Sequence, residues 1–209
     1  MIRINKISKK LKKEEVLKDV SMEVRKGTIC GVVGNNGSGK TVLFKCILGI
    51  YKIDSGEIWI DGKLMKRNSG ITTGVSAIIE NPAFLDNYSG LNNLKYLYEL
   101  NHKKDMEHIN AIMEYMGLNP KDKKKVKNYS LGMKQRLSIA QAIMDDNDLI
   151  ILDEPMNGLD KNGVSDVRRI LMDLKEKGKT IIIASHNPQD IEMLCDDVYE
   201  MDAGRIKKL

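Results

Sequence analysis

The stretch Gly34-Asn35-Asn36-Gly37-Ser38-Gly39-Lys40-Thr41 constrains this chain more than any other. It fits the pattern G-x-x-x-x-G-K-[ST]. An apolar run, Ile29-Cys30-Gly31-Val32-Val33, leads into it, and a helix-like stretch, Val42-Leu43-Phe44-Lys45-Cys46-Ile47-Leu48, follows. Strand, glycine loop and helix in that order are the setting in which such a loop cradles phosphate. Glycines let the backbone curl so that successive N–H groups point inward at phosphate oxygens. The start of the helix adds partial positive charge at the same spot. Lys40 is expected to reach the β- and γ-phosphates of a nucleotide, and the Thr41 hydroxyl to ligand Mg²⁺. An ordinary glycine turn would need none of this context.

A chain of 209 residues makes one good-sized domain, or a main domain with a subdomain. Hydrophobic residues at 42% and charged residues at 30% describe a soluble globular protein. No run of eighteen apolar residues occurs, so no membrane-spanning helix is expected. Met1-Ile2-Arg3-Ile4-Asn5-Lys6-Ile7 alternates like a strand and lacks the apolar core of a signal peptide. Cys30, Cys46 and Cys195 are far apart, which suits buried free thiols in a reducing compartment rather than a disulfide or metal site. The net charge of +5 comes largely from Lys9-Lys10-Leu11-Lys12-Lys13 and from the segment Lys121 to Lys127. Such runs suit nucleic acid, an anionic membrane face or a solvated loop. No aromatic residues interleave for base stacking, which favours the loop.

Taken in order, residues 2–7 and 16–24 read as strands, followed by the phosphate-loop strand and helix. Turn residues bracket a short strand, Glu57-Ile58-Trp59-Ile60, in which Trp59 is read as a packing residue. Gly74 to Ile79 is another strand, halted by Glu80-Asn81-Pro82. From Ser89 to Asn147 the period turns helical: Leu91, Leu94 and Tyr98 share one face, and Ile109, Ile112, Met113 and Met116 another. The α/β rhythm then resumes with a strand at Leu149–Leu152, a helix at Val164–Lys177 and a strand at Thr180–Ala184. A short helix from Pro188 to Cys195 and a closing hairpin around Asp202-Ala203-Gly204 complete it. The expected architecture is an α/β core from 1–83 and 148–209 with an N-terminal antiparallel β subdomain. A helical subdomain, about 84–147, is inserted into it.

The run Leu149-Ile150-Ile151-Leu152 suits a parallel strand buried on both faces. It delivers Asp153 and Glu154 at its C-terminal edge, where ligands bind in such sheets. In a phosphate-loop protein this assigns Asp153 to Mg²⁺ and Glu154 to a general base acting on water. Ser130 is a good N-cap for the helix that precedes this strand.

With these residues in view, the sequence resembles the nucleotide-binding subunit of an ATP-binding cassette (ABC) transporter, whose core is a P-loop NTPase fold. The family signature Leu-Ser-Gly-Gly-Gln falls on Tyr129 to Met133, of which Ser130 and Gly132 match. Lys134-Gln135-Arg136-Leu137 continues in the family style. The phosphate loop, a switch segment at Glu80, Asp153-Glu154-Pro155, Asn157-Gly158-Leu159-Asp160 and His186 follow the family's order over essentially the whole chain.

The resemblance implies ATP and Mg²⁺ as cofactors, ATP hydrolysis, and two cassettes facing head to tail as a homodimer or heterodimer. Ser130 and Gly132 of one cassette would contact the γ-phosphate held by Lys40 of the other. Asp160 would link the two sites, and His186 would hydrogen-bond the γ-phosphate and attacking water. Two positions depart from the family. Glu80 stands where most members have Gln, placing a carboxylate near Mg²⁺. Leu11 stands, by its offset from Val16-Leu17, where an aromatic stacks on adenine. The segments Glu80–Phe84 and Tyr129–Met133 resemble the bacterial subgroup that exports antibiotics and bacteriocins.

The partner implied is a separate transmembrane permease, docked near Phe84, Leu85 and Tyr88, which would hold the chain on the inner face of the cell membrane. Nucleic acid is not expected. The competing readings are a soluble ABC-type ATPase acting on ribosomes or DNA, and a regulatory module that binds ATP without turnover. The first usually carries two cassettes or a long coiled-coil insertion, absent here. The second conflicts with the presence of Asp153, Glu154 and His186 together.

Overall fold

The computed structural model describes residues 2–65, 70, 72–80 and 83–209. Met1, and Asn81 and Pro82 of the switch segment, lie outside the described residues. The chain opens with β1 (Ile2–Leu11) and β2 (Glu14–Val24), an antiparallel pair. Next come β3 (Ile29–Val33), α1 (Lys40–Ile47), β4 (Ser55–Ile60), β5 (Lys63–Leu64) and β6 (Val75–Ile78). Three helices follow: α2 (Gly90–Tyr98), α3 (Met106–Tyr115) and α4 (Leu131–Ile143), with a short 3₁₀ turn at Val126–Asn128. The last part runs β7 (Leu149–Asp153), α5 (Lys161–Glu176), β8 (Thr180–Ala184), α6 (Pro188–Leu194), β9 (Asp197–Asp202) and β10 (Arg205–Lys208).

The strands make two sheets. One is antiparallel in the order β2-β1-β4-β5; the other has the order β10-β9-β3-β8-β7-β6. In the second sheet β9, β3, β8, β7 and β6 are parallel, and only β10 runs against its neighbour. The runs Leu149–Leu152 of β7 and Ile181–Ala184 of β8 are apolar without interruption because both faces of the sheet are covered. Alternation within the run divides their side chains between two cores. Ile150 and Leu152 of β7, and Ile181 and Ile183 of β8, face Leu137 of α4 and Val167 and Leu171 of α5. Ile151 and Ile182 point the other way, into a core shared with Phe44 and Ile47 of α1 and with Ile4, Ile7, Leu17 and Val20 of the antiparallel sheet. Helices α2, α3 and α4 pack on one another through Leu94, Ile109, Met113 and Leu137, the first three on the faces that periodicity predicts for α2 and α3.

Strand order brings the functional segments together. Because β3, β6, β7 and β8 are parallel, their C-terminal ends share one edge of the sheet. The phosphate loop follows β3, Glu80 follows β6, Asp153 ends β7 with Glu154 next, and Ser185-His186 follow β8.

Some local expectations are corrected. Lys9-Lys10-Leu11-Lys12-Lys13 is the tip of the β1–β2 hairpin rather than a loop, because Lys10 pairs with Glu15 and Leu11 with Glu14. Trp59 is half-buried and outside both cores. Its neighbour Ile58 takes the inward face of β4, and Trp59 Nε1 donates to Glu57 Oε2 at 3.2 Å. The short strand β5 was not foreseen, since two residues carry no periodicity.

Candidate functional site

The phosphate loop is shaped by backbone that only glycine tolerates. Gly34 has φ +149°, and a Cβ there would collide with the Met201 carbonyl of β9. Gly39, at φ +114°, is the N-cap of α1 and leaves the first helical amides without a side-chain cap. Lys40 is 7% exposed and folds back over the loop, where Nζ donates to the carbonyls of Gly34 (2.7 Å) and Asn35 (3.2 Å). The Ser38 amide donates to Asn35 O (3.1 Å), while the buried Ser38 hydroxyl has no partner among the described residues. Asn36 and Gly37 are exposed at the crest. An ammonium, an orphaned hydroxyl and free helix-start amides in one concavity are an anion receptor.

In the first turn of α1, Thr41 Oγ1 donates to Asp153 Oδ2 at 2.8 Å. Glu154 sits in the left-handed region at φ +52°, a conformation costly for a non-glycine residue. Its amide is held by Ala184 O (3.0 Å), and its Oε2 lies 2.9 Å from His186 Nδ1. A carboxylate only accepts, so this contact places a proton on Nδ1. The His186 side chain is otherwise open, at 66% exposure. Glu80, also left-handed at φ +59°, pairs through Oε1 with Lys45 Nζ at 2.7 Å. The hydrogen bond that Lys45 donates to Glu80 is the main reason that the Lys45 ammonium titrates above its ordinary range. Lys45 also lies 5.6 Å from the centre of the Tyr51 ring.

Several of these groups line a cavity of about 680 Å³. The loop residues Asn36, Gly37, Gly39, Lys40 and Thr41 form one wall, and Glu80, Asp153 and Glu154 another. Val16, Leu131, Gln135, Asn157 and Gly158 close its margins. Gly34, Asn35 and His186 instead border a second cavity, of about 710 Å³, on the other side of the loop.

Leu11 is not on the wall of the nucleotide-sized cavity. The hairpin register carries it to the strand tip opposite Glu14, and Val16 of β2 takes the place beside the loop, its carbonyl against Gly39. Ser130 is exposed, with its hydroxyl accepting from the Met133 amide (3.2 Å), and Asp160 is exposed and caps α5 through the Gly163 amide (2.8 Å). Ser130, Gly132 and Asp160 do not themselves line the cavity that holds Lys40, although Leu131, Gln135, Asn157 and Gly158 from the same segments do. Sequence reasoning missed Val16, Lys45 and Gln135, whose Nε2 donates to Pro155 O at 2.8 Å. For Gln135 the signal was present in the signature-like run; for Val16 and Lys45 there was none.

The donor set suits a small hard cation with phosphate beside it: a hydroxyl and a carboxylate in contact, with a second carboxylate across the cavity. Among the described residues no group of three or more His, Cys, Asp or Glu forms a cage for a metal. Mg²⁺ held by phosphates, waters and one or two protein oxygens needs none. The three cysteines are free, with Cys30 and Cys46 buried. No helix among the described residues is long and apolar enough to cross a membrane.

The ABC transporter family model matches residues 17–157. The uncharacterised ABC transporter ATP-binding protein YybJ of Bacillus subtilis (strain 168) is 41% identical over 207 residues, covering 99% of this chain and 95% of that protein. The bacitracin transport ATP-binding protein BcrA of Enterococcus faecalis is 37% identical over 208 residues, covering 99% of this chain and 68% of that protein. Among solved structures, cbiO1 of Clostridium perfringens, part of the ABC transporter complex cbiONQ, superposes with a TM-score of 0.86. It is 27% identical and covers 99% of this chain and 86% of that one.

Proposed function

Since the chain belongs to the ABC transporter family, as an ATP-binding subunit, we propose that it hydrolyses Mg²⁺-bound ATP to drive a separate membrane permease that exports a peptide-like antibiotic or bacteriocin. The observation that carries this reading is the convergence of Lys40, the Thr41–Asp153 contact and the Glu154–His186 contact on one sheet edge. The loop amides and Lys40 bind the phosphates. Glu154 accepts a proton from the attacking water, and His186 orients Glu154 and the γ-phosphate. Thr41 and Asp153, with Glu80 nearby, would hold Mg²⁺, which supplies charge neutralisation of the phosphates.

Ser130 and Asp160 are exposed and, with Gly132, are absent from the lining of their own chain's nucleotide cavity, which supports a site completed by a second cassette. The single-cassette arrangement with a helical subdomain at about 84–147 belongs to the same proposal. A patch beside the switch segment supports permease docking: Leu85 is 51% and Tyr88 43% exposed, although Phe84 is half-buried against the core. The export substrate is suggested by the bacitracin transport relative.

Two experiments test the reading. Lys40→Ala is expected to lower nucleotide affinity at least about tenfold and to abolish hydrolysis, since it removes charge-assisted hydrogen bonds to phosphate. Purification of the tagged chain from membranes of its host in mild detergent is expected to recover a polytopic protein near stoichiometry. Recovery from the soluble fraction with ribosomes or DNA would overturn the transporter assignment.

A further inference from the structure

The loop that carries His186 is pinned on both sides of the histidine, while the imidazole itself meets Glu154 and is largely exposed. Asp190, on α6, is 2% exposed. Arg168 of α5 brings both Nε (2.8 Å) and Nη2 onto its Oδ1. Asp190 Oδ2 accepts from the Ser185 hydroxyl at 3.2 Å, and that hydroxyl oxygen accepts from the Asn187 amide at 3.1 Å. The Asn187 side chain in turn caps α6 through the Gln189 amide, at 3.0 Å. In an ordinary capping box the acid at the third helical position accepts the N-cap amide directly. Here Ser185 is inserted between them, so the chain is fixed immediately before and immediately after His186.

A buried carboxylate with a partly buried guanidinium is costly to desolvate, and an apolar pair would join α5 to α6 at least as well. What the ion pair adds is direction: it orients one hydroxyl and one amide that flank the histidine. Among the described residues, the His186 ring, by contrast, is held only by Glu154 Oε2 at 2.9 Å. Its position over Glu154 is therefore set by its backbone. That backbone is set by Asp190.

We propose that Arg168 and Asp190, acting through Ser185, are positioning residues that hold His186 in register with Glu154. The proposal rests on the reading of His186 and Glu154 given above. Neither Arg168 nor Asp190 lines the cavity that holds Lys40 and Glu154. Their effect would reach the reaction only through the loop. A displacement of the histidine by about 1 Å is enough to cost on the order of a hundredfold in rate.

The test compares Asp190→Asn and Ser185→Ala with the parent chain. Asp190→Asn is expected to lower kcat about tenfold to a hundredfold, with the KM for ATP and the affinity for a fluorescent ATP analogue unchanged. Ser185→Ala should lower kcat less, and it leaves no buried charge unpaired, so it carries the test if Asp190→Asn fails to fold. In a His186→Ala background neither change should lower kcat further, because residues acting through one another are not additive. Equal losses in both backgrounds would overturn the proposal.

A second readout is independent of hydrolysis. The imidazole NMR resonance of His186, assigned by its loss in His186→Ala, should move in both variants. Those of His102, against Asp145, and His108, against the Met144 carbonyl, should not. A stationary His186 resonance in a folded Ser185→Ala protein would sink the positioning role. Undiminished hydrolysis by His186→Ala would instead sink the role of the histidine itself.

Discussion

Lys45 and Glu80 join the helix after the phosphate loop to the segment after β6, with Nζ 2.7 Å from Oε1. The resemblance to the ABC family puts Gln where Glu80 stands, so an extra negative charge enters the wall of the nucleotide cavity. Lys45 balances it. Lys45→Gln is expected to leave that carboxylate uncompensated near the Thr41–Asp153 corner. The Mg²⁺ concentration giving half-maximal hydrolysis should then fall several-fold. Glu80→Gln should raise it or leave it unchanged, and the double variant should resemble Glu80→Gln alone. Identical Mg²⁺ titrations of all three would show that the pair has no bearing on the cation.

Glu154→Gln keeps an acceptor for His186 Nδ1 and removes the base. Hydrolysis should fall about a hundredfold or more, while ATP binding persists. With ATP present, size-exclusion chromatography should show a stable dimer, because the species that normally decays by hydrolysis accumulates. Turnover at the parent rate would remove Glu154 from the mechanism.

Gly34→Ala is expected to be severe. The residue combines φ +149° with a Cβ position blocked by the Met201 carbonyl, so the loop must move or β9 must shift. Backbone strain alone costs about 1–3 kcal/mol. A urea titration should show the lowered midpoint, and nucleotide binding should be lost even where the protein stays folded. By contrast, Gly37 has open space around its Cβ position, and Gly37→Ala should act through its positive φ alone.

Asp197 predicts a pH dependence. Hydrogen bonds from Lys208 (2.7 Å) and Arg25 (2.9 Å) hold its carboxyl below the usual range, tying β9 to β10 and to the end of β2. The folded pKa is depressed, so this stabilisation is present above the ordinary carboxylate pKa near 4. It is lost as pH falls through the lower folded value. Asp197→Asn should therefore melt a few degrees below the parent at pH 7, and the gap should close towards pH 2–3. A gap that stays constant across that range would show that the ion pairs do not contribute.

Much of the site was legible without coordinates because its parts are local patterns. Gly34 to Thr41 announces itself by spacing. Asp153-Glu154 is marked by the buried strand before it, Ser130 by the helix that it caps, and Asp160 by the resemblance to the ABC family. The period change at Ser89 likewise marks α2 to α4 directly, since each helix must present one apolar face to its neighbours. Leu11 shows where this reasoning stops. An offset along the chain cannot say how a hairpin is registered, and one turn at Lys12-Lys13 puts Val16 rather than Leu11 beside the loop.

By itself, then, the sequence determined the phosphate loop, the acids at the end of β7, and an α/β core with helices packed together between its halves. Each of these rests on propensity, period or steric need within a few residues. Only the tertiary structure decided that Lys45 meets Glu80, that Val16 lines the cavity, and that Arg168 reaches Asp190 beneath His186. Those contacts join residues far apart in the chain: the register of the β1–β2 hairpin places Val16, and the order β9-β3-β8-β7-β6 sets which strand ends the other two connect. No local rule encodes that order. It follows from how the two faces of the sheet are covered at once.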